Sequence, residues 1–307
     1  MKKKYMTLWL MAFIASTTLG LRACADTVNV SVRTVDQDGK PVAEAKLDAE
    51  SGDKTVSGQD GRAQLAVKKK AFSTRFRAVK EGYYETETDG FPLPLSPNVD
   101  LSKTVNIVIK KIKNPIPMYA KSLTAGHGGV LKLPSYDGKS YGYDLVIGDW
   151  VAPHGKGTTS DLIFRFEGNP GRVVELEEWE KKITITFSNK HDGILAWQGL
   201  SDNGRAYGSE LASDYEAPAT GYQSEWIQRT WKEKDGLRQT TVNQFRNYYF
   251  RVRTQVDENG NIVSMHYGKI YGDFMSFTYY LNPTPNDRNV EFDTNKNLFH
   301  LNKATKP

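Results

Sequence analysis

Of the 307 residues only one is a cysteine, Cys24. One thiol closes no internal disulfide and cannot supply a cysteine-ligated zinc or iron–sulfur centre. Cys24 also sits at a processing site, described below, so thiol chemistry is excluded from the folded part. The 282 residues after position 25 need no disulfide, being enough for two ordinary cores. Histidine is nearly as scarce. His127, His154, His191, His266 and His300 never stand at H-x-H or H-x-x-x-H spacing, so no strand or helix carries a ready metal pair. Motifs are missing too. There is no G-x-S-x-G nucleophile turn. Gly155-Lys156-Gly157-Thr158-Thr159 fails as a phosphate loop, because Trp150 stands where the first glycine belongs and Gly157 replaces the Ser/Thr. Asp257-Glu258-Asn259-Gly260-Asn261 fails as a calcium loop, with Ile262 at its sixth position; it and Asp36-Gln37-Asp38-Gly39 read as turns. No metal and no cofactor is expected.

What is present begins with Lys2, Lys3 and Lys4, followed by an uncharged run from Met6 to Leu21 and then Ala23-Cys24-Ala25. A cationic start, an apolar middle and a small-x-small exit make a secretory signal, with Ala23 and Ala25 as processing residues and cleavage after Ala25. The apolar run of 16 residues is shorter than the roughly 20 that cross a bilayer. Leu21-Arg22-Ala23-Cys24 also resembles a bacterial lipobox, although Arg22 departs from it, so lipidation of Cys24 is the alternative fate. Either way the expectation is an exported protein: periplasmic, cell-surface or extracellular, and bound to a membrane only if Cys24 is lipidated. Residues 1–25 hold four basic residues and no acid. Without them the 41 Lys+Arg fall to 37 against 36 Asp+Glu, and the formal charge falls from +5 to +1. Nucleic acid, which selects a strongly basic domain, is not an expected partner.

Beyond the signal the chain reads as all-β. Val28, Val30 and Val32 alternate with Asn29, Ser31 and Arg33, and Ala63, Leu65 and Val67 alternate after Asp60-Gly61. That is period two, punctuated by turns, the pattern of a sandwich. The expected division is a first module over 26–113, a Pro-stiffened linker at Lys111–Pro117, and a larger jelly-roll-like β-sandwich over 118–301. In the latter Leu162, Phe164 and Phe166 alternate, as do Ile183, Ile185 and Phe187, then Phe250, Val252, Thr254 and Val256. Short helices are admitted at 174–181 and 224–233.

The first module carries a resemblance. Val35-Asp36-Gln37-Asp38-Gly39-Lys40-Pro41-Val42-Ala43-Glu44-Ala45 is similar to the opening of a carboxypeptidase regulatory-like domain. Thr55 leading to Asp60-Gly61-Arg62 and the run Val79-Lys80-Glu81-Gly82-Tyr83-Tyr84 follow in that family's order. The resemblance implies an Ig-like or transthyretin-like sandwich of accessory, non-catalytic character, and it brings no active-site residues. The larger module resembles no family.

Two sets of side chains are candidates for function. Asp149, His154 and Asp161 share one Gly-rich stretch and His191-Asp192 another, a possible acid–base set if they meet in space. Glu175, Glu177, Glu178 and Glu180 around Trp179 read as a solvated face. Aromatics are the stronger lead: five of the six tryptophans lie after position 118, with Tyr136, Tyr141, Tyr143, Tyr207, Tyr215 and Tyr222 in polar surroundings. Such rings suit sugars, peptides or protein partners, or they plug a sandwich core. Trp197, among Ile194, Leu195 and Ala196, reads as core; Trp150, Trp226 and Trp231, with Tyr143 and His154, are the ligand-binding candidates. The expectation is a non-catalytic exported protein binding a glycan or cell-envelope component. The alternatives are an extracellular hydrolase of a polymer, using Asp149, His154, His191 and Asp192, and a structural or assembly protein of the envelope.

Overall fold

The structure, a computed structural model, describes residues 26–88, 90–93, 100–124, 136–169, 178–198, 208–243, 246–299 and 307. Ala23, Cys24, Ala25, His127, Glu175, Glu177, Tyr207 and His300 lie outside the described residues. Among the described residues every regular element is a strand, and the protein is all-β. No helix there is long and apolar enough to cross a membrane.

The first part holds β1 (Thr27–Val35), β2 (Lys46–Ala49), β3 (Lys54–Val56), β4 (Arg62–Lys68), β5 (Ser73–Thr74), β6 (Phe76–Val79), β7 (Thr86–Glu87), β8 (Phe91–Pro92) and β9 (Val105–Val108). The order β4-β1-β9 makes one sheet, with β1 antiparallel to β4 and parallel to β9. A second sheet contains β7-β6-β2-β3. The alternation read in the sequence decides the packing. Val30 and Val32 of β1, Leu65 and Val67 of β4, and Leu47 and Phe76 from the facing sheet close on one core. Each such side chain contributes about 1.5–3 kcal/mol by leaving water. The Asp-Gly turns are built by local hydrogen bonds. Asp36 Oδ1 accepts the N–H of Asp38 and Lys40, and Asp60 Oδ1 that of Arg62. Gly61 has φ +75°, and a Cβ there would stand 2.4 Å from the Thr34 carbonyl oxygen, so this turn needs glycine.

The later part holds β10 (Ile116–Thr124), β11 (Ser140–Asp144), β12 (Asp149–Trp150), β13 (Leu162–Gly168), β14 (Trp179–Thr186), β15 (Gly193–Gln198), β16 (Gly208–Ser209), β17 (Glu225–Lys232), β18 (Gln239–Thr240), β19 (Arg246–Val256), β20 (Ile262–Asp273), β21 (Ser276–Leu281) and β22 (Phe292–Asn297). Two six-stranded sheets face each other, ordered β12-β11-β13-β14-β17-β18 and β15-β19-β20-β21-β10-β22. Their inner faces meet in a core that includes Phe164, Phe166, Ile183, Ile185, Phe250, Ile270 and Tyr279. The second sheet is buried on both faces: Tyr249, Tyr267 and Tyr280 point the other way, into a cluster with Met118, Val290 and Phe292. Among the described residues the helix readings are overturned. Residues 179–181 open β14 and 225–232 are β17, because the two strands pair antiparallel from Trp179↔Lys232 to Thr186↔Glu225. In β17 Gln228 and Thr230 are buried while Ile227 is exposed, a period of two.

The two parts are joined by more than the 111–117 segment. β16 adds to β7 of the first part, with Gly208 opposite Glu87. Glu291, 1 % exposed, accepts hydrogen bonds from Tyr84 Oη (2.9 Å) and from the N–H groups of Lys113 (2.8 Å) and Asn114 (2.7 Å). Tyr215 donates to Lys111 O at 2.6 Å.

Candidate functional site

The acid–base candidates come together only in part, and around a group the sequence reading passed over. A bulge between Val252 and Gln255 interrupts the β19–β20 register, and Arg253 adopts φ +56° within it. Its guanidinium reaches Asp161 (2.8 and 2.9 Å) and Asp144 (2.9 Å). Backbone N–H groups take the remaining acceptor positions: Leu145 on Asp161, and Val146, Ile147, Thr158 and Thr159 on Asp144. Asp192 accepts the N–H of Arg253 and Thr254, both at 3.0 Å. Burial holds the Asp161 and Asp192 carboxyls above the ordinary range, against the pull of Arg253 and of Thr254 respectively. Burial also pushes Asp144 up, but its backbone donors outweigh this and its pKa is lowered. These three acids tie loops to the sheet. Asp149 caps its own turn through the N–H of Trp150 and Lys156. His154 is exposed, its ring 4.8 Å from that of Tyr141, and the carbonyl of His191 accepts from Arg251.

The aromatic candidates separate. Trp150 and Tyr143, expected among the ligand-facing rings, are 5 % and 2 % exposed and lie in the sandwich core, 5.2 Å apart. That corrects the reading of Trp150 from its polar neighbours: those neighbours form the turn, while the ring follows the period-two face of β11 and β12 inward. Trp226 and Trp231 are both half-buried but five residues apart on one strand, hence on opposite faces. Trp226 points inward against Tyr248 (5.3 Å). Trp231 lies on the outer face, under the Arg229 guanidinium at 4.3 Å. Trp197 is half-buried and stacks on Tyr249 at 5.6 Å.

The concave feature lies elsewhere. Along the inner faces of β14 and β17 the side chains change character. Ile185 stands beside Trp226 and Ile183 beside Gln228; next come Lys181 beside Thr230 and Trp179 beside Lys232. Polar residues on an inward stripe mark the place where the apolar core ends. A cleft of about 1010 Å³ opens there. Its floor is Trp179, Lys181, Ile183, Gln228 and Thr230, one edge is Arg238 and residues 240–243, and the opposite wall is Arg246, Asp273, Met275 and Tyr136. Trp179 is 5 % exposed, with Arg238 at 6.0 Å from its ring, so it forms a wall and not an open platform. Arg246 lies 5.2 Å from the Trp226 ring. Among the described residues none of Lys181, Arg238 and Arg246 is ion-paired. Asp273, the one carboxylate of the lining among the described residues, accepts the N–H of Met275 and Ser276 at Oδ1. The threonine hydroxyls of Thr230 and Thr240 bond each other at 2.8 Å.

The sequence reading missed Lys181, Arg238 and Arg246. A signal was available: extending the Ile185, Ile183 alternation backward by twos reaches Lys181 and Trp179, a cation and a tryptophan on a face that should be apolar. For Arg238 and Arg246 there was none, because strand pairing alone brings them to this end of the sandwich.

No family model and no curated protein matches the chain. Among solved structures, a streptococcal ancillary pilin overlaps 82 % of this chain at 11 % identity and a TM-score of 0.21, and the chain spans 60 % of that pilin's length. A shaft pilin from Lactobacillus rhamnosus GG (9 % identity, TM-score 0.21) overlaps 81 % of this chain and 94 % of its own. A DUF3823 family protein from Parabacteroides merdae (9 % identity, TM-score 0.19) overlaps 88 % and 100 %.

Proposed function

We propose that this chain is a non-catalytic, exported ligand-binding protein of the cell envelope, and that the cleft at the open end of its larger sandwich binds a carbohydrate. The observation that carries this reading is the switch along the paired inner faces of β14 and β17, from Ile185 and Ile183 to Lys181 on the first and from Trp226 to Gln228 and Thr230 on the second, beside a cleft of about 1010 Å³. A pocket of that size with convergent polar groups is the usual form of a ligand site. Hydroxyl and amide groups at Gln228, Thr230, Thr240, Thr241 and Asn243 suit the hydroxyls of a sugar. The signal read at residues 1–25 and the carboxypeptidase regulatory-like motifs of the first part support an exported protein with an accessory sandwich beside its binding module. The hydrolase alternative has less support. Two-carboxylate hydrolysis needs two acids across the substrate, and among the described residues the cleft lining holds Asp273 alone.

The test is a polysaccharide binding screen of the purified chain and of Thr241→Trp, which fills the cleft from its edge. Binding of at least one polymer, lost in Thr241→Trp while circular dichroism shows the strand content of the parent, is the expected result. Binding that survives Thr241→Trp and disappears in Trp231→Ala would move the site to the outer face and overturn the assignment.

A further inference from the structure

We infer that the ligand of this cleft is a polyanionic glycan, a linear saccharide with carboxylate or sulfate groups spaced along it; the inference rests on the carbohydrate reading of the cleft. Lys181, Arg238 and Arg246 line one concave surface with no ion-pair partner among the described residues. On the outer face of the same sheet, by contrast, Lys182 meets Glu167 at 3.1 Å and Arg229 meets Glu180. Three unpaired cations against one carboxylate that is already hydrogen-bonded to backbone give the cleft a positive field, which low-dielectric walls concentrate.

The spacing selects a chain over a small anion. Arg246 sits over Trp226, near one end of the β17 inner face. Arg238 sits over Trp179, which pairs with Lys232 at the other end, and Lys181 lies between, beside Thr230. From 226 to 232 a strand rises by about 20 Å, at roughly 3.3 Å per residue. The rings and the strand position that these cations accompany are spread along that length, so a ligand whose charges repeat along an extended backbone can meet each of them in turn. A nucleic acid fits less well. Single strands are held by exposed aromatic faces on which bases stack, and the Trp179 ring is buried under Arg238. Sugar hydroxyls between the charges would meet Thr230, Thr240 and Asn243.

Titration calorimetry against polygalacturonate, and against the same polymer fully methyl-esterified, separates charge from shape. Polygalacturonate is expected to bind and the ester to bind about tenfold more weakly or worse, with affinity falling as salt rises. Combining Lys181→Gln, Arg238→Gln and Arg246→Gln should weaken polygalacturonate by about tenfold or more, while Lys182→Gln on the outer face leaves it unchanged. Unchanged melting temperatures exclude misfolding. Chondroitin sulfate bound more tightly than polygalacturonate upholds the inference and identifies the group as sulfate. Equal binding of acid and ester, both blocked by Thr241→Trp, overturns the charge inference and leaves the carbohydrate cleft standing. No binding to polygalacturonate or chondroitin sulfate, or tighter binding of single-stranded DNA than of either, overturns it too.

Discussion

Lys269 shows how far a single residue departs from its ordinary chemistry here. It is fully buried between Tyr271 and Tyr280, its Nζ 3.1 Å from Ser213 Oγ. Burial drives its pKa well below the usual lysine range, and Lys110 repels its charge further, while Glu291 pulls the other way. A lysine whose folded-state pKa is depressed binds fewer protons folded than unfolded. The stability it contributes is therefore complete above the unfolded pKa of about 10.4 and is lost as pH falls toward the folded value. Lys269→Met abolishes this proton linkage. The variant should be stabilised relative to the parent most at acidic pH, and the difference should shrink toward pH 10. Urea midpoints at several pH values check it; a difference constant with pH would show that Lys269 keeps its charge when buried. None of this was legible in the sequence, where Gly268-Lys269-Ile270 reads as an ordinary solvent-facing cation in a strand. The groups around its ammonium come from residues far apart in the chain, Ser213 and Tyr280 among them.

At the scale of the element, period two was the most reliable guide. It placed Val30, Val32, Leu65 and Val67 inward, and they are buried. It failed for β14 and β17 only where polar residues interrupted the stripe and a helix was admitted instead; pairing along the whole length of the two strands resolved that. β20 shows what close pairing demands. Gly268 lies between Phe250 and Leu281 in register, and a Cβ there would stand 2.2 Å from Phe250 Cζ and 2.3 Å from the Tyr280 carbonyl oxygen. Gly268→Ala must push the central strands apart or move a buried ring. A loss of about 1–3 kcal/mol is expected in chemical denaturation, with the cleft at the other end of the sandwich still binding its ligand. A loss of a few tenths would mean that Phe250 has room to turn.

At the scale of the whole molecule, Glu291 links the two parts of the chain. Its carboxylate takes three donors from Tyr84, Lys113 and Asn114, all N-terminal to the larger sandwich. The same contacts push the Tyr84 phenol far above its ordinary range, through burial first and then through Glu291. Glu291→Ala leaves those donors without a partner at about 1–3 kcal/mol each where water cannot reach them. Calorimetry of the parent should show one transition, because β16–β7 pairing and this carboxylate couple the parts. The variant should show two, the first at lower temperature. One unsplit transition in Glu291→Ala would mean that the β16–β7 ladder and the Tyr215 hydrogen bond suffice.

The sequence by itself determined the class of fold and the positions of the turns. Both follow from local rules: alternation sets which side of a strand is buried, and Asp-Gly pairs supply the backbone freedom of a tight turn. It also shows which motifs are missing, since one cysteine and histidines at no paired spacing are visible without coordinates. Only the tertiary structure decided which aromatics are available. Trp150 and Trp231 look alike in sequence, and one is core while the other lies on an outer face, because a ring's exposure depends on the sheet that faces it. Likewise the cleft is lined from both sheets and from the segment 238–243, a property of neither strand alone. Three cations, from β14, from the residue before β18 and from the start of β19, line it through long-range pairing that no local pattern encodes.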